Sequence, residues 1–418
     1  MRRLWPLTPR GTGALVLAIA CFVLASELGV TELQYFGMLL IAVLVASVGS
    51  LHLLRRTDAV ARSLHPDVVT VGTQTHVDVR VGLRSVVPTP AGTWRDELPA
   101  GLTGPAEGAF AALGSGLIGG VHGGNRTLEL TYVATGARRG IHSIGPLTLR
   151  CSDPFGLARR SIRLRERTVV TVAPALVDLP ALTDLAGESG GMLHTAVDQL
   201  GQGADNLIAR PYAPGDSMRR IHWRATAHRD ELMVRQEEQE STPEATVVLD
   251  RSVLRWSADA LVETGADPGF ETGVSACVSV VARLVRDGYA VDVLDSDGAV
   301  LIERLDDADP SDIEELLTRF ATIMARRDDH LPRVAQLFAG VMTGPVVVIV
   351  GRLDPADATA LAAVAHHSAL PVLLTTAPVG DALERTADAG WHTGALEAGG
   401  DVTDPWRAAV GRGAGRVG

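Results

Sequence analysis

The sequence predicts three structural classes in one chain: a two-helix transmembrane hairpin, an all-β, sandwich-like module, and a doubly wound α/β domain. Three observations carry this expectation. Two apolar runs of membrane-spanning length, Thr12 to Val30 and Leu33 to Leu54, stand at the N-terminus. Short alternating segments punctuated by Gly, Pro, Asn and Asp follow between about residues 67 and 174. Buried-type strands then alternate with helical patterns through the last third. The 418 residues suit two or three domains of roughly 150 residues each. The boundaries read as hairpin 1–56, β module 66–178, linker 179–202, a distinctive block 203–243, α/β domain 244–400 and flexible tail 401–418.

In the hairpin, the second run spans about 33 Å as a helix, against about 30 Å of hydrocarbon. Helix is the form open to so short a spanning pair, because every backbone polar group must be satisfied internally. Arg2, Arg3 and Arg10 precede the first run, Arg55, Arg56 and Arg62 follow the second, and the turn between carries Glu32 without an arginine. The positive-inside rule places both termini in the cytoplasm, the two helices crossing the plasma membrane and returning. A cleaved signal peptide is the weaker reading, because a second, longer run follows at once. Cys21 only faintly resembles a lipoprotein site, and Glu27 lies close enough to the interface to be solvated.

The β module shows its period most clearly at His76 to Val81, where Val77, Val79 and Val81 share one face. Further strands are expected at Leu128 to Val133, Gly145 to Leu149 and Thr168 to Val172. Gly101 to Gly124 reads as a flexible hairpin loop. Its Gly114-Ser115-Gly116-Leu117-Ile118-Gly119 fits a dinucleotide fingerprint but lacks the flanking strand and helix. Gly187-Glu188-Ser189-Gly190-Gly191 fits a nucleophile elbow, yet it sits in the linker, so a serine hydrolase at Ser189 is the least favoured reading.

Composition removes whole classes of function. All 38 basic residues are arginine, which excludes Schiff-base chemistry and a lysine-bearing Walker A loop. The net charge of −11 argues against a general nucleic-acid binder. Three distant cysteines, Cys21, Cys151 and Cys277, form neither a disulfide framework nor a metal spacing.

The block from Asp205 to Glu240 is the most distinctive. Pro214-Gly215 is a turn, Asp216 an N-cap, and Met218, Ile221, His222 and Ala225 recur at helical spacing from Ser217 to about Ala227. The period then switches, with Leu232 and Val234 on one strand face and Met233 and Arg235 on the other. Six arginines are interleaved here with Tyr212, Trp223 and seven carboxylates. That mixture suits either an ion-paired scaffold or a docking face for an anionic or acidic partner. Arg210, Tyr212, Asp216, Arg219, Arg220, Trp223 and Arg235 are the candidate partner-binding residues.

Arg210-x-Tyr212-x-Pro214-Gly215-Asp216, Arg219-Arg220-Ile221-x-Trp223 and Leu232-x-Val234-Arg235 together resemble the signature of the bacterial family called domain of unknown function 58. Asp153-Pro154-Phe155-Gly156-Leu157, after Arg138-Arg139-Gly140, resembles a second motif of that family. The chain departs from it at His222 and His228, where the family carries Asp and Arg. The resemblance implies membrane attachment, a von Willebrand factor A-like last third, no established activity, and a partner such as a MoxR-type AAA+ ATPase.

The last third is consistent with that. Strands are expected at Val247 to Leu249, Ala290 to Leu294, Pro345 to Val350 and Pro371 to Thr375, with helices at Gly273 to Arg286, Ser311 to about Arg326 and Pro355 to Ala365. Ligands in such sheets bind at strand C-termini, where Asp250-Arg251-Ser252 falls. An A domain carries Asp-x-Ser-x-Ser there for Mg²⁺, but Leu254 replaces the last serine, so Asp250 and Ser252 read first as a loop cap and second as a weak Mg²⁺ site. His366-His367 point in different directions, and Asp328-Asp329-His330 reads as a solvated charge cluster. The function expected is a non-enzymatic, membrane-anchored interaction scaffold, with an Mg²⁺-dependent, adhesion-type ligand-binding domain as the alternative.

Overall fold

The computed structural model describes residues 5–52, 54–85, 91–112, 125–153, 155–182, 207–211, 221, 223–229, 231–237, 243–306, 309–339 and 343–411. The chain divides into two compact units, Met1–Ala175 and Leu176–Gly418.

The first unit opens with α1 (Pro9–Leu28) and α2 (Thr31–His52). Thr8 caps α1, its hydroxyl accepting from Gly11 N, and Pro9 takes the first helical position, where its missing N–H costs nothing. Gly29 closes α1 in the left-handed conformation that a non-glycine residue resists. Both helices are long and apolar enough to cross a membrane.

Among the described residues eleven strands follow: β1 (Leu54–His65), β2 (Val69–Thr70), β3 (Gln74–Ser85), β4 (Gly92–Asp96), β5 (Leu102–Thr103), β6 (Glu107–Phe110), β7 (Asn125–Gly136), β8 (Gly140–Ile144), β9 (Leu147–Ser152), β10 (Arg159–Leu164) and β11 (Thr168–Ala173). They form three sheets in the orders β1-β3-β7-β5, β10-β9-β4-β6 and β2-β11-β8. Val77, Val79 and Val81 are fully buried, as their alternation requires. Across this core Arg62 forks onto Asp96, with Nε and Nη2 each 2.9 Å from a carboxylate oxygen. The expected loop at Gly101 to Gly124 is partly strand, since β5 and β6 fall inside it, and the fingerprint glycines 114–119 lie outside the described residues.

The second unit begins with β12 (Leu207–Pro211), α3 (Trp223–Arg229) and β13 (Met233–Glu237), where β12 and β13 pair antiparallel. The strand β12 was not expected from the sequence. The α/β body then runs β14 (Glu244–Leu249), α4 (Pro268–Arg286), β15 (Ala290–Asp295), β16 (Val300–Leu305), α5 (Pro310–Phe320), α6 (Val334–Leu337), β17 (Thr343–Leu353), α7 (Pro355–Ala365), β18 (Ser368–Pro378), α8 (Ala382–Asp388), β19 (His392–Ala395) and α9 (Thr403–Gly411). Its six strands lie in the order β16-β15-β14-β17-β18-β19, with β16 antiparallel to β15 and the other pairs parallel. One face buries Val248, Val346, Val348 and Leu373 against Leu361 and Val364 of α7. The alternate residues Val247 and Leu249, also buried, face the other way, the side on which α4 packs.

Two expectations change here. The helix expected to reach Arg326 ends at Phe320, and beyond it Arg326 forms a backbone bridge with Ser252. Residues 403–411 are no flexible tail: α9 buries Trp406 completely, and its indole N–H donates to Pro180 O at 3.1 Å.

Candidate functional site

The chain leaves β14 towards β15 on one side and later returns as β17 on the other. The carboxyl end of β14 is therefore the switch point at which open α/β sheets bind ligands. Asp250 is the first residue past that strand and is wholly buried. Its backbone is fixed, the N–H donating to Ile349 O at 2.9 Å and the carbonyl accepting from the Trp256 indole at 2.8 Å. Among the described residues neither carboxylate oxygen has a well-aligned hydrogen-bond partner, the nearby Ser296 hydroxyl donating to Asp295 at 3.3 Å.

Arg255 fills the space in front of it. Its Nε stands 3.5 Å from Asp250 Oδ2, while Nη1 donates to Asp357 Oδ2 at 2.6 Å and Nη2 to both oxygens of Asp329 at 3.1 Å. The guanidinium thus makes its hydrogen bonds to Asp357 and Asp329 and faces Asp250 by charge alone. The loop can approach this closely because residue 351 is glycine, since a Cβ there would meet Arg255 O at 2.0 Å. Asp357 belongs to a capping box with Asp354 at the start of α7, so the helix N-terminus also points into the cluster.

A second set of pairs adjoins it. Arg251 Nε lies 2.7 Å from Asp295 Oδ2, and Arg326 lies 3.3 Å from the same oxygen and 2.7 Å from Asp297. Burial pushes the Asp250 carboxyl up to about 7, Asp329 and Asp295 adding to the rise and the Ser296 hydroxyl and Arg255 opposing it. Burial also raises Asp357, against the Asp354 N–H and Arg255.

Ser252 caps as expected, its hydroxyl accepting from Leu254 N at 3.4 Å, but the Asp250 side chain caps nothing. For Mg²⁺, Asp250 and Ser252 offer oxygen ligands of the right chemistry. The shell is incomplete: Leu254 points to solvent at 66% exposure, Arg255 is the neighbouring charge, and among the described residues no three His, Cys, Asp or Glu side chains converge on a metal position.

The other candidates are placed as follows. Arg210 and Arg235 sit diagonally on the β12–β13 ladder, opposite Val234 and Ala209. Trp223 opens α3 and is 70% exposed, while Ile221 and Met233 are buried. Met233 N donates to Thr226 Oγ1 at 3.0 Å, tying α3 to β13. Tyr212, Asp216, Arg219, Arg220 and Ser189 lie outside the described residues. His366 caps the end of α7. Asp329, expected in a solvated cluster, is instead a partner of Arg255. Arg255 carries no motif that marks it as a site residue in the sequence. Its only local signal was an arginine just past the Asp250-x-Ser252 pattern.

Among solved structures, the CARDB domain of a Pyrococcus furiosus protein, crystallised in complex with di-metal ions, is similar at 20% identity, over 27% of this chain and 90% of that one, with a TM-score of 0.18. A likeness that slight carries no argument about fold or metal. The comparison with curated proteins gives no match. Residues 208–289, from β12 through Asp250 and Arg255 to the end of α4, match the family model described as protein of unknown function DUF58, the family that the arginine-rich block resembles.

Proposed function

We propose that this chain is a membrane-anchored interaction scaffold without catalytic activity of its own. Its two apolar helices cross the plasma membrane with both termini in the cytoplasm. Its second unit presents a von Willebrand factor A-like face to a protein partner, a MoxR-type AAA+ ATPase. The observation that carries the reading is the state of the switch-point crevice. A guanidinium occupies the space before Asp250, and on the same loop Leu254 and Val262 stand 66% and 79% exposed. Filled crevices with apolar residues at the rim suit recognition of a protein surface better than capture of a small molecule. The exposed Trp223 adds an aromatic anchor of the kind that dominates interfaces.

The test is binding of the organism's purified MoxR-type ATPase to the full chain in nanodiscs. Leu254→Asp with Val262→Asp, and Arg219→Ala with Trp223→Ala, each shown to be folded, are expected to lose binding. Binding unchanged by both pairs overturns the reading.

One observation favours a second reading. The two orphaned oxygens of Asp250 are what an Mg²⁺ site, completed by Ser252, supplies for a ligand-binding A domain. Calorimetric titration with Mg²⁺ and Mn²⁺ separates the two, since the scaffold reading expects no saturable heat.

A further inference from the structure

The turn between β9 and β10 carries the second sequence motif, Asp153 to Leu157, and the scaffold reading gives it no task. Asp153 is buried and organises the turn from within, Oδ2 accepting from Phe155 N at 3.0 Å and Oδ1 from Ala158 N at 2.6 Å. Gly156 follows with φ +70°, a left-handed conformation suited to glycine. The result turns the Phe155 ring outward, 64% exposed, although a phenyl ring gains most from leaving water.

The outer side of the same turn holds the start of α1. Thr8 donates from its hydroxyl to Gly156 O at 2.6 Å and from its backbone to Leu157 O at 2.9 Å, and Arg159 N donates to Pro6 O at 2.7 Å. The approach is close enough to forbid a side chain at Gly11, where a Cβ would stand 1.9 Å from Leu157 O. The end of α2 is held alongside, with Arg160 Nη1 donating to Leu51 O at 2.5 Å. One short stretch, residues 156–160, therefore grips both ends of the hairpin that carry the arginine flanks. Exposed Trp5 and Arg10 lie at the same end of α1.

We propose that the Asp153–Leu157 turn is a membrane-interface anchor, which clasps the two helix ends and seats the Phe155 ring, with Trp5, at the boundary between headgroups and acyl chains. Aromatic rings concentrate at that depth, and arginines beside them favour an anionic leaflet. This rests on the membrane-anchored reading above. β1 leaves the end of α2 and, with a bulge between Arg56 and Val60, pairs along β3 from Ser85 to His76, a reach of roughly 30 Å at about 3.3 Å per residue of β3. Thr73, beside that far end, should stay in water.

The test uses the full chain in phosphatidylethanolamine–phosphatidylglycerol vesicles doped with brominated lipids. A nitrobenzoxadiazole label is placed in turn at Phe155→Cys, Ile19→Cys and Thr73→Cys, the three native cysteines being buried. The label at 155 is expected to shift to shorter wavelength and to be quenched most by shallow bromines. The label at 19 should be quenched most by deep ones, and that at 73 by neither. Gly11→Val should reduce quenching at 155 and leave it intact at 19. A label at 155 in water with 19 in the bilayer overturns the anchor and leaves membrane attachment standing. A label at 19 in water removes both. Equal quenching at 155 and 73 also overturns the anchor, because the whole module would then lie flat.

Discussion

Arg62 in the first unit and Arg255 in the second are both buried arginines facing aspartates, and they solve the same electrostatic problem to different degrees. Arg62 meets Asp96 through two 2.9 Å bonds, Tyr132 donates to the same carboxylate at 3.1 Å, and Arg62 Nη1 donates to Glu166 O at 3.1 Å. Burial beside Asp96 in turn raises the Tyr132 hydroxyl well above its ordinary value, keeping it a donor. Arg255 forks onto Asp357 and Asp329, leaving Asp250 buried at 3.5 Å, where among the described residues the one nearby hydroxyl, that of Ser296, donates to Asp295 instead. A closed pair fixes a fold, whereas an open one retains a chemical response. The first belongs to packing and the second to a site.

The largest effect expected is from Arg62→Ala, which strands a buried carboxylate and should cost about 3–5 kcal/mol in denaturant unfolding of the first unit. Arg255→Ala should cost less, about 2–3 kcal/mol, because Asp250 can take up a proton and Asp329 is partly exposed. Equal losses from the two substitutions would break the contrast. Asp250→Asn sharpens it through pH. A raised carboxyl contributes stability that is complete below its unfolded value of 3.8 and is lost as pH rises through about 7. Wild type should therefore lose about 1 kcal/mol from this group between about pH 6 and 8, and the asparagine variant should not. Thermal unfolding across that window reads the difference, and parallel pH curves would remove Asp250 from the account. The smallest stability effect belongs to Leu254→Asp, within about 0.5 kcal/mol because the side chain is exposed, while partner binding falls.

Sequence periodicity located most of this framework. α7 was legible to the residue, because Asp354-Pro355 is an N-cap followed by a helix-starting proline. β14, β15 and β17 were legible as short apolar runs. β16 was not, since a reading of alternating strand and helix has no place for an antiparallel edge strand, and the four residues of β19 are too few to show a period. Asp250 and Ser252 were visible as a motif. Arg255 became a site residue only through its partners Asp329 and Asp357, which stand 74 and 102 positions away. No local pattern encodes contacts at that separation.

The bond between Trp406 and Pro180 closes the second unit on itself. The same N-terminal stretch is also pinned to α4, Val177 N donating to Ser279 Oγ at 2.9 Å and Arg286 Nη1 to Asp178 Oδ1 at 2.6 Å, so a pull on this end of the unit loads α4 and α9 together before any strand of the six-stranded sheet is sheared. Each of these ties is a single side-chain contact, so they should yield one after another at low force and leave the sheet standing, a graded mechanical fuse in front of the folded core.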